Sequence, residues 1–224
     1  MDTYSPTIEL NRQIASRGSK TICILGTPRS GTSMIAGVVR QLGIDMGQNI
    51  GSGNNEDQDF LIHQGHRQIF SDQSEKKKYL DEIRKCIEKR NLRTPEWGWK
   101  DPLSSYYIAD LASELRNLHV ILVWRDAVAT TQGENRFRQQ QSIPLTRERT
   151  LASLMNIHNE YNNMLQFIQT TKANVLLVSY EKFLLKKTKG ITEIANFLEV
   201  PLMESSMNKI VEYISPERGT AAIT

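Results

Sequence analysis

The sequence predicts an α/β fold, a doubly wound and mostly parallel β-sheet with helices on both of its faces. Short apolar runs of the kind found in strands buried on both sides recur at residues 21–26, 119–124 and 174–180. Segments with a helical repeat separate these runs. Strands that alternate with helices need right-handed crossover connections, and such connections produce a parallel sheet that is covered on both faces.

Each apolar run is followed by a helical segment. Residues 33–41 predict the first helix, because apolar side chains recur on one side and Gly43 is a helix stop. Residues 97–100 predict the end of a further strand, since Pro102 cannot continue a central strand. The remaining predicted helices cover residues 56–70, 71–91, 104–117, 127–137, 147–171, 188–198 and 203–214.

The length and composition favour one soluble domain. The 224 residues suit a single α/β domain, predicted at residues 21–214, with a polar extension at 1–20 and a tail at 215–224. The net charge of +3 comes from 28 basic and 25 acidic side chains spread along the chain, so no nucleic-acid partner is expected. No apolar run has the length of a membrane span, and 2 cysteines do not make a disulfide framework. These features predict a cytoplasmic protein and leave its oligomeric state open.

The most informative segment is the loop GTPRSGTS at residues 26–33, which follows the first apolar run. Gly26 and Gly31 have the spacing of phosphate-binding loops, in which backbone N–H groups and the N-terminus of the next helix converge on an anion. The lysine of nucleotide hydrolases would fall at Thr32, and the cation is instead Arg29 within the loop. This difference argues against ordinary ATP or GTP chemistry. A plain strand-to-helix turn with a capping serine is the alternative interpretation.

The loop resembles the segment by which sulfotransferases, in particular bacterial and carbohydrate-type members, hold 3′-phosphoadenosine 5′-phosphosulfate (PAPS). The resemblance implies a P-loop-like sulfotransferase fold and transfer of a sulfuryl group from PAPS, with adenosine 3′,5′-bisphosphate (PAP) as the product. Sulfuryl oxygens carry less charge than a terminal phosphate, so backbone donors, hydroxyls and one guanidinium suffice and no metal is predicted. The implied cofactor-binding residues of the loop are Thr27, Pro28, Arg29, Ser30, Gly31, Thr32 and Ser33.

Two further strand ends extend the resemblance, and ligands of open parallel sheets bind beyond such ends. Arg125 directly follows an apolar run, as in the family segment R-D-P whose arginine contacts the 3′-phosphate of PAPS. The family's serine eight positions later is Gly133 here, which leaves that contact to its backbone, Thr130 or Thr131. Tyr180 matches a family tyrosine that lies near the nucleotide. A structural ion pair for Arg125 and a core role for Tyr180 are the alternatives.

Sulfuryl transfer needs cations at the transferred group and a base for the proton of the acceptor. Arg29 and Lys100 are the predicted catalytic cations. Cytosolic members of the family have a histidine base two residues beyond a comparable lysine, but Pro102 stands there. Glu56 is the predicted base, because its surroundings resemble the acidic helix start of bacterial and carbohydrate-type relatives.

Other roles for the acidic residues stay open. Asp57 and Asp101 are reserve bases, and a favourable contact with a helix N-terminus is the alternative role of Glu56. His63 and His66 lie one predicted helical turn apart and suggest a metal site together with Asp59. No further ligand has fixed spacing, so no metal site is predicted.

Two other function classes compete with the sulfotransferase. One is an atypical P-loop kinase or nucleotidase with Asp126 as a magnesium ligand, and the other is a non-catalytic module that binds adenosine bisphosphate. The acceptor is expected to be a small molecule or a glycan with a hydroxyl or amine group. Its pocket is predicted at residues 43–55, the helix after Glu56 and residues 139–144.

Overall fold

A five-stranded sheet lies at the centre of the part of the chain that the structure describes. The structure is a computed structural model that describes residues 4–11, 18–50, 54–61, 70–101 and 104–214. Its strands are β1 (Thr7–Leu10), β2 (Lys20–Leu25), β3 (Glu96–Lys100), β4 (Leu118–Trp124) and β5 (Asn174–Ser179), in the spatial order β1-β5-β4-β2-β3. β2 pairs in parallel with β3 and β4, β4 pairs in parallel with β5, and β1 pairs antiparallel to β5. The predicted doubly wound, mostly parallel sheet is confirmed.

The helices follow the strands in alternation. They are α1 (Thr32–Gln41), α2 (Gln73–Arg93), α3 (Ile108–Leu111), α4 (Ala127–Gln140), α5 (Arg147–Thr170), α6 (Tyr180–Leu185), α7 (Lys187–Phe197) and α8 (Glu204–Tyr213). The prediction of one helix over residues 104–117 is wrong, because a 3-10 turn, the single turn α3 and further turns occupy this stretch. α6 is too short for its apolar repeat to be recognised in the sequence.

The predicted helix at residues 56–70 is wrong at its start. Asp57 forms an isolated antiparallel bridge with Ile50, residues 58–60 form a turn, and residues 62–69 lie outside the described part. The backbone N–H of Glu56 donates to the side chain of Asn54 at 3.1 Å, which is a local turn that competes with a helix. The backbone N–H of Asp57 donates to the carbonyl of Lys100 at 3.3 Å. The segment is therefore held beside the end of β3.

Strand β1 covers the edge of β5. The sequence pattern predicts no strand before residue 21, because these four residues are half-exposed and lack the apolar run of the buried strands. Its partners in register are Val178 for Thr7 and Val175 for Leu10. The hydroxyl of Thr7 also donates to Glu193 of α7 at 2.7 Å. The edge strand is thus joined both to the sheet and to a helix.

Alternate side chains of the strands enter two separate cores. In β2, Cys23 and Leu25 pack in a core with residues of α2 and α5, whereas Ile22 and Ile24 pack in a core with residues of α1, α7 and α8. All four side chains are buried. Full burial of a large apolar side chain contributes about 1.5–3 kcal/mol, so this alternation strongly specifies the register of the strand.

The parallel strands place their carboxyl ends at one edge of the sheet. In register, Ile24 lies beside Lys100, and Trp124 lies beside Ser179. The residues that directly follow β2, β3, β4 and β5 therefore lie at this end of the sheet. Among the described helices, none combines the length and the apolar character needed to cross a membrane.

Candidate active site

The loop between β2 and α1 has the backbone geometry of an anion cradle. Gly31 has a φ of +96°, and Arg29 has a φ of +67°, which is unusual for a residue with a side chain. The N–H of Ser30 donates to the carbonyl of Thr27 at 3.1 Å, which closes the turn. α1 begins at Thr32, so the N-terminus of this helix adjoins the loop. Helix N-termini attract anions.

Tyr180 lies directly against the loop. A Cβ added at Gly31 would lie only 2.2 Å from Cδ2 of Tyr180, so the aromatic ring occupies the space that any side chain at this position would need. Tyr180 is the first residue of α6 and follows β5. The structure thus brings together two of the strand ends that the sequence analysis selected. Tyr180 is half-buried, as a ring that borders a binding site would be.

Arg125 joins the loop from the end of β4. Its Nη1 donates to the carbonyl of Arg29 at 2.8 Å, and its Cζ lies 4.6 Å from the centroid of the Tyr180 ring. Its Nε lies 3.9 Å from Oε1 of Glu181, which is a distant pair with a half-exposed carboxylate. This Nε is buried and has no hydrogen-bond partner within the described part of the chain. The weak ion pair leaves most of the guanidinium charge of Arg125 for the site.

Arg29 extends from the loop towards α4. Its Cζ lies 4.1 Å from the centroid of the Phe137 ring. A Cβ added at Gly133 would lie 3.2 Å from Cβ of Arg29, so the arginine stem packs closely on this glycine. Arg29 itself is exposed. Gly133 and Arg29, two predicted site residues, are therefore neighbours.

The donors around the loop fit an anionic phosphosulfate. The hydroxyls of Ser30 and Thr130 are buried and have no hydrogen-bond partner among the residues that the structure describes. Buried polar groups are paired in most proteins, so hydroxyls left without partners beside a cradle are consistent with ligand oxygens as their partners. Thr130 lies one helical turn before Gly133 in α4. Thr27 is buried and Pro28 half-buried, and the carbonyl of Ser33 accepts a hydrogen bond from Asn55 at 2.8 Å.

Lys100 and Glu56 form a second polar cluster at the same edge. Nζ of Lys100 donates to Oε1 of Glu56 at 2.7 Å, and the two side chains are 4% and 20% exposed. Asn54 donates to the other carboxylate oxygen at 2.8 Å. Burial lowers the pKa of Lys100, and the neighbouring Glu56 opposes this effect. The cluster therefore holds a proton donor with a reduced pKa next to an acceptor.

The reserve bases are committed to structural contacts. Asp57 is fully buried and lies 2.6 Å from Nη2 of Arg90. Burial raises the pKa of Asp57 to about 6, although Arg90 acts in the opposite direction. Asp101 is buried and accepts a hydrogen bond from Tyr107 at 2.9 Å.

Asp126 and Asp59, the acidic residues considered as metal ligands, also make structural contacts. Asp126 caps α4 and accepts from the N–H of Ala129 at 2.8 Å, so its carboxylate is engaged in helix capping. Asp59 pairs with Arg90 at 2.9 Å, while His63 and His66 lie outside the described residues. Within the described ranges, no three side chains of His, Cys, Asp or Glu are grouped as metal ligands would be.

The structure adds residues that sequence reasoning missed. Phe137 contacts Arg29, and its spacing of four residues from Gly133 on a predicted helix is a signal that could have indicated a shared face. Asn55 has a φ of +53° and donates to the carbonyl of Ser33 and to the hydroxyl of Tyr213 at 3.0 Å. No short-range pattern predicts this contact, because Asn55 and Tyr213 are 158 residues apart.

Comparison with known proteins gives the family and the fold of the chain. A family model described as Sulfotransferase domain matches residues 19–218. Mouse sulfotransferase SULT7A1 complexed with PAP is 16% identical, with 90% of this chain and 67% of that chain covered and a TM-score of 0.57. Sulfotransferase STF9 from Mycobacterium avium is 13% identical, with 88% and 68% covered and a TM-score of 0.56. The sulfotransferase domain from the Synechococcus PCC 7002 olefin synthase is 16% identical, with 93% and 82% covered and a TM-score of 0.56.

A search of curated protein sequences found no match. The structural neighbours are distant in sequence and establish the fold. The family model, in contrast, spans almost all of the described chain. This protein therefore belongs to the sulfotransferase family, and the predictions of that family, of its P-loop-like α/β fold and of a sulfuryl-transferring enzyme are confirmed.

Proposed function

We propose that the protein transfers a sulfuryl group from PAPS to a hydroxyl or amine of an acceptor by in-line displacement. The observation that carries the proposal is the contact between the Glu56 turn and the loop helix, in which Asn55 donates to the carbonyl of Ser33 at 2.8 Å. This contact joins the Lys100–Glu56 pair to the anion cradle. A cation, a base and a cradle beside one another are the parts that this reaction requires.

The loop residues bind and polarise the donor in this proposal. Bound PAPS supplies an activated sulfuryl group with PAP as its leaving group. Arg29, the hydroxyl of Ser30 and the N–H groups at the start of α1 stabilise charge on the phosphosulfate oxygens. Arg125, Tyr180 and the backbone at Gly133 hold the 3′-phosphate and nucleoside side. The PAP complex of the mouse neighbour supports this choice of donor.

Lys100 and Glu56 carry the proton transfers. Lys100 would donate its proton to the PAP leaving group, and burial makes that proton easier to release. Glu56 accepts the proton of the attacking hydroxyl or amine. A direct hydrogen bond of 2.7 Å couples the two groups, so the charge that one loses is compensated by the other.

A small-molecule acceptor agrees with the family, and a glycan is the second candidate class. Binding without a metal is also part of the proposal, because guanidinium, ammonium and hydroxyl donors complement the anion. The domain boundaries at residues 21–214 and the cytoplasmic location are predictions from the sequence.

Calorimetry with PAP and with ATP tests the proposal. We expect PAP to bind with the same affinity in the presence of EDTA and of magnesium. Mass spectrometry of reactions with PAPS and a panel of hydroxyl and amine acceptors would then identify a product that is heavier by one sulfuryl group. Binding of magnesium-bound ATP together with no binding of PAP would overturn the proposal in favour of a kinase or nucleotidase.

A further inference from the structure

We propose that Phe137 is a positioning residue that fixes the guanidinium of Arg29 for the donor, and that Gly133 provides the surface on which the arginine stem lies. The inference rests on the proposed role of Arg29 in binding the phosphosulfate. It assigns a function to an aromatic side chain that lies outside the loop, on helix α4.

Contacts or backbone geometry restrain three parts of Arg29, which are its backbone, its aliphatic stem and its guanidinium. Its backbone is in the left-handed region, with a φ of +67°, and its carbonyl accepts from Arg125 at 2.8 Å. Its stem packs on Gly133, where an added Cβ would come within 3.2 Å. Its guanidinium lies 4.1 Å from the centroid of the Phe137 ring. The long side chain of an exposed arginine is otherwise free to adopt many rotamers.

The ring contact leaves the hydrogen-bond donors of Arg29 accessible. Cation–π attraction uses the face of the guanidinium plane, whereas its five N–H donors point outward in that plane. Among the described residues, the guanidinium makes no hydrogen bond or ion pair. Phe137 can therefore hold the cation while the edge of the same group binds anionic oxygens.

Packing alone does not account for Phe137. Its side chain is 44% exposed, and it belongs to neither of the two cores. The side chain is therefore not needed to fill either core. In the described ranges, its one ring contact with a charged group is the contact with the predicted catalytic arginine. Positioning is the role that this placement supports.

Substitution of Phe137 tests the inference through binding. Cation–π pairs at partly exposed sites correspond to about a 2- to 5-fold change in an equilibrium constant. We expect Phe137→Leu to weaken PAP binding by about this factor in calorimetry, with an unchanged thermal midpoint, and Phe137→Trp to retain full affinity. Val128→Ala, an exposed apolar position on the same helix, is the matched control and should bind PAP as the wild type does.

Gly133→Ala separates stability from binding. Alanine is strongly preferred to glycine inside a helix, so this change should raise the thermal midpoint. The new Cβ would press on the stem of Arg29, whose backbone is already restrained, so PAP affinity should fall. If Gly133 had only a structural role, its substitution would not raise the thermal midpoint and lower the PAP affinity at the same time.

A double substitution shows whether Phe137 acts through Arg29. In an Arg29→Met background, Phe137→Leu should cause no further loss of PAP affinity. An equal further loss in that background, or full affinity of the single Phe137→Leu variant, would overturn the inference. If the wild type itself does not bind PAP, the proposed function fails as well. If the wild type binds PAP and Phe137→Leu binds it equally well, only the role of Phe137 is excluded.

Discussion

The ammonium of Lys100 and the carboxylate of Glu56 lie 2.7 Å apart, although 44 residues separate them in the chain. Lys100 ends the edge strand β3, and the backbone N–H of Asp57, the residue after Glu56, donates to the Lys100 carbonyl. Backbone and side chain therefore fix the same pair. A pair held at two points keeps its geometry when a substrate arrives, which is what proton transfer requires.

Glu56→Gln should abolish most of the transfer and preserve donor binding. The amide keeps the shape of the side chain but cannot accept the acceptor's proton, and general-base catalysis contributes about 10²- to 10⁴-fold. We expect a loss of that size in the transfer rate, with PAP affinity unchanged in calorimetry. Glu88→Gln, at an exposed position of α2, is the control. Wild-type turnover of Glu56→Gln would exclude Glu56 as the base.

The transfer rate should begin to decline at a lower pH than the titration of an ordinary lysine would cause. Burial lowers the pKa of Lys100 from 10.5, and the protonated form is the active one in the proposal. Activity is therefore lost as the pH rises through this lowered value. Arginine stays protonated throughout, so Lys100→Arg should lack this alkaline limb even if it is slower. The measurement is the rate of sulfuryl transfer from PAPS to water as a function of pH. The same alkaline decline in the wild type and in Lys100→Arg would assign the decline to another group.

Asn55→Ala should impair catalysis more than donor binding. The change removes the bonds to Ser33 and Tyr213 and introduces a side chain that disfavours a φ of +53°. Glu56, the next residue, would then lose its fixed place. We expect a lower kcat with a nearly unchanged KM for PAPS. Asn55→Gly tolerates the backbone angle but lacks the side-chain bonds, so an equally low kcat would assign the effect to those bonds.

Asp57 should make the stability of the fold depend on pH. Its pKa is about 6 in the folded protein and 3.8 ordinarily, so between these values the folded state binds more protons than the unfolded state. The free energy of unfolding should therefore decrease as the pH rises from about 4 to about 6, by up to about 3 kcal/mol.

Asp57→Asn tests this dependence. We expect the pH slope to be lost in denaturant unfolding. Because the amide does not titrate, the stability of the variant relative to the wild type should rise as the pH increases from about 4 to about 6. A slope that persists in Asp57→Asn would mean that another group titrates in this range.

The central strands and the loop could be predicted because their signals are local. The buried runs of β2, β4 and β5 and the spacing of Gly26 and Gly31 lie within short windows of sequence. The strand-end rule then selected Arg125 and Tyr180, which the structure places against the loop.

The remaining features depend on contacts between distant parts of the chain. The turn at Glu56 forms because Asp57 is bonded to Lys100, so a segment with a helical pattern does not start a helix. Strand β1 needs β5 as a partner and carries no pattern of its own. The contact of Phe137 with Arg29 depends on the packing of α4 beside the loop, which spacing alone does not specify.

The antiparallel pairing of β1 has a consequence for how the protein behaves in solution. Without residues 4–11, β5 would expose a row of unpaired N–H and C=O groups, and such borders recruit strands from other molecules. The hydrogen bonds from Ser5 and Thr7 to Glu193 at 2.7–2.8 Å hold β1 in place beside β5. Residues 4–11 thus replace the border of the six-residue β5 with that of a four-residue edge strand, and very short edge strands are less prone to pair with other molecules.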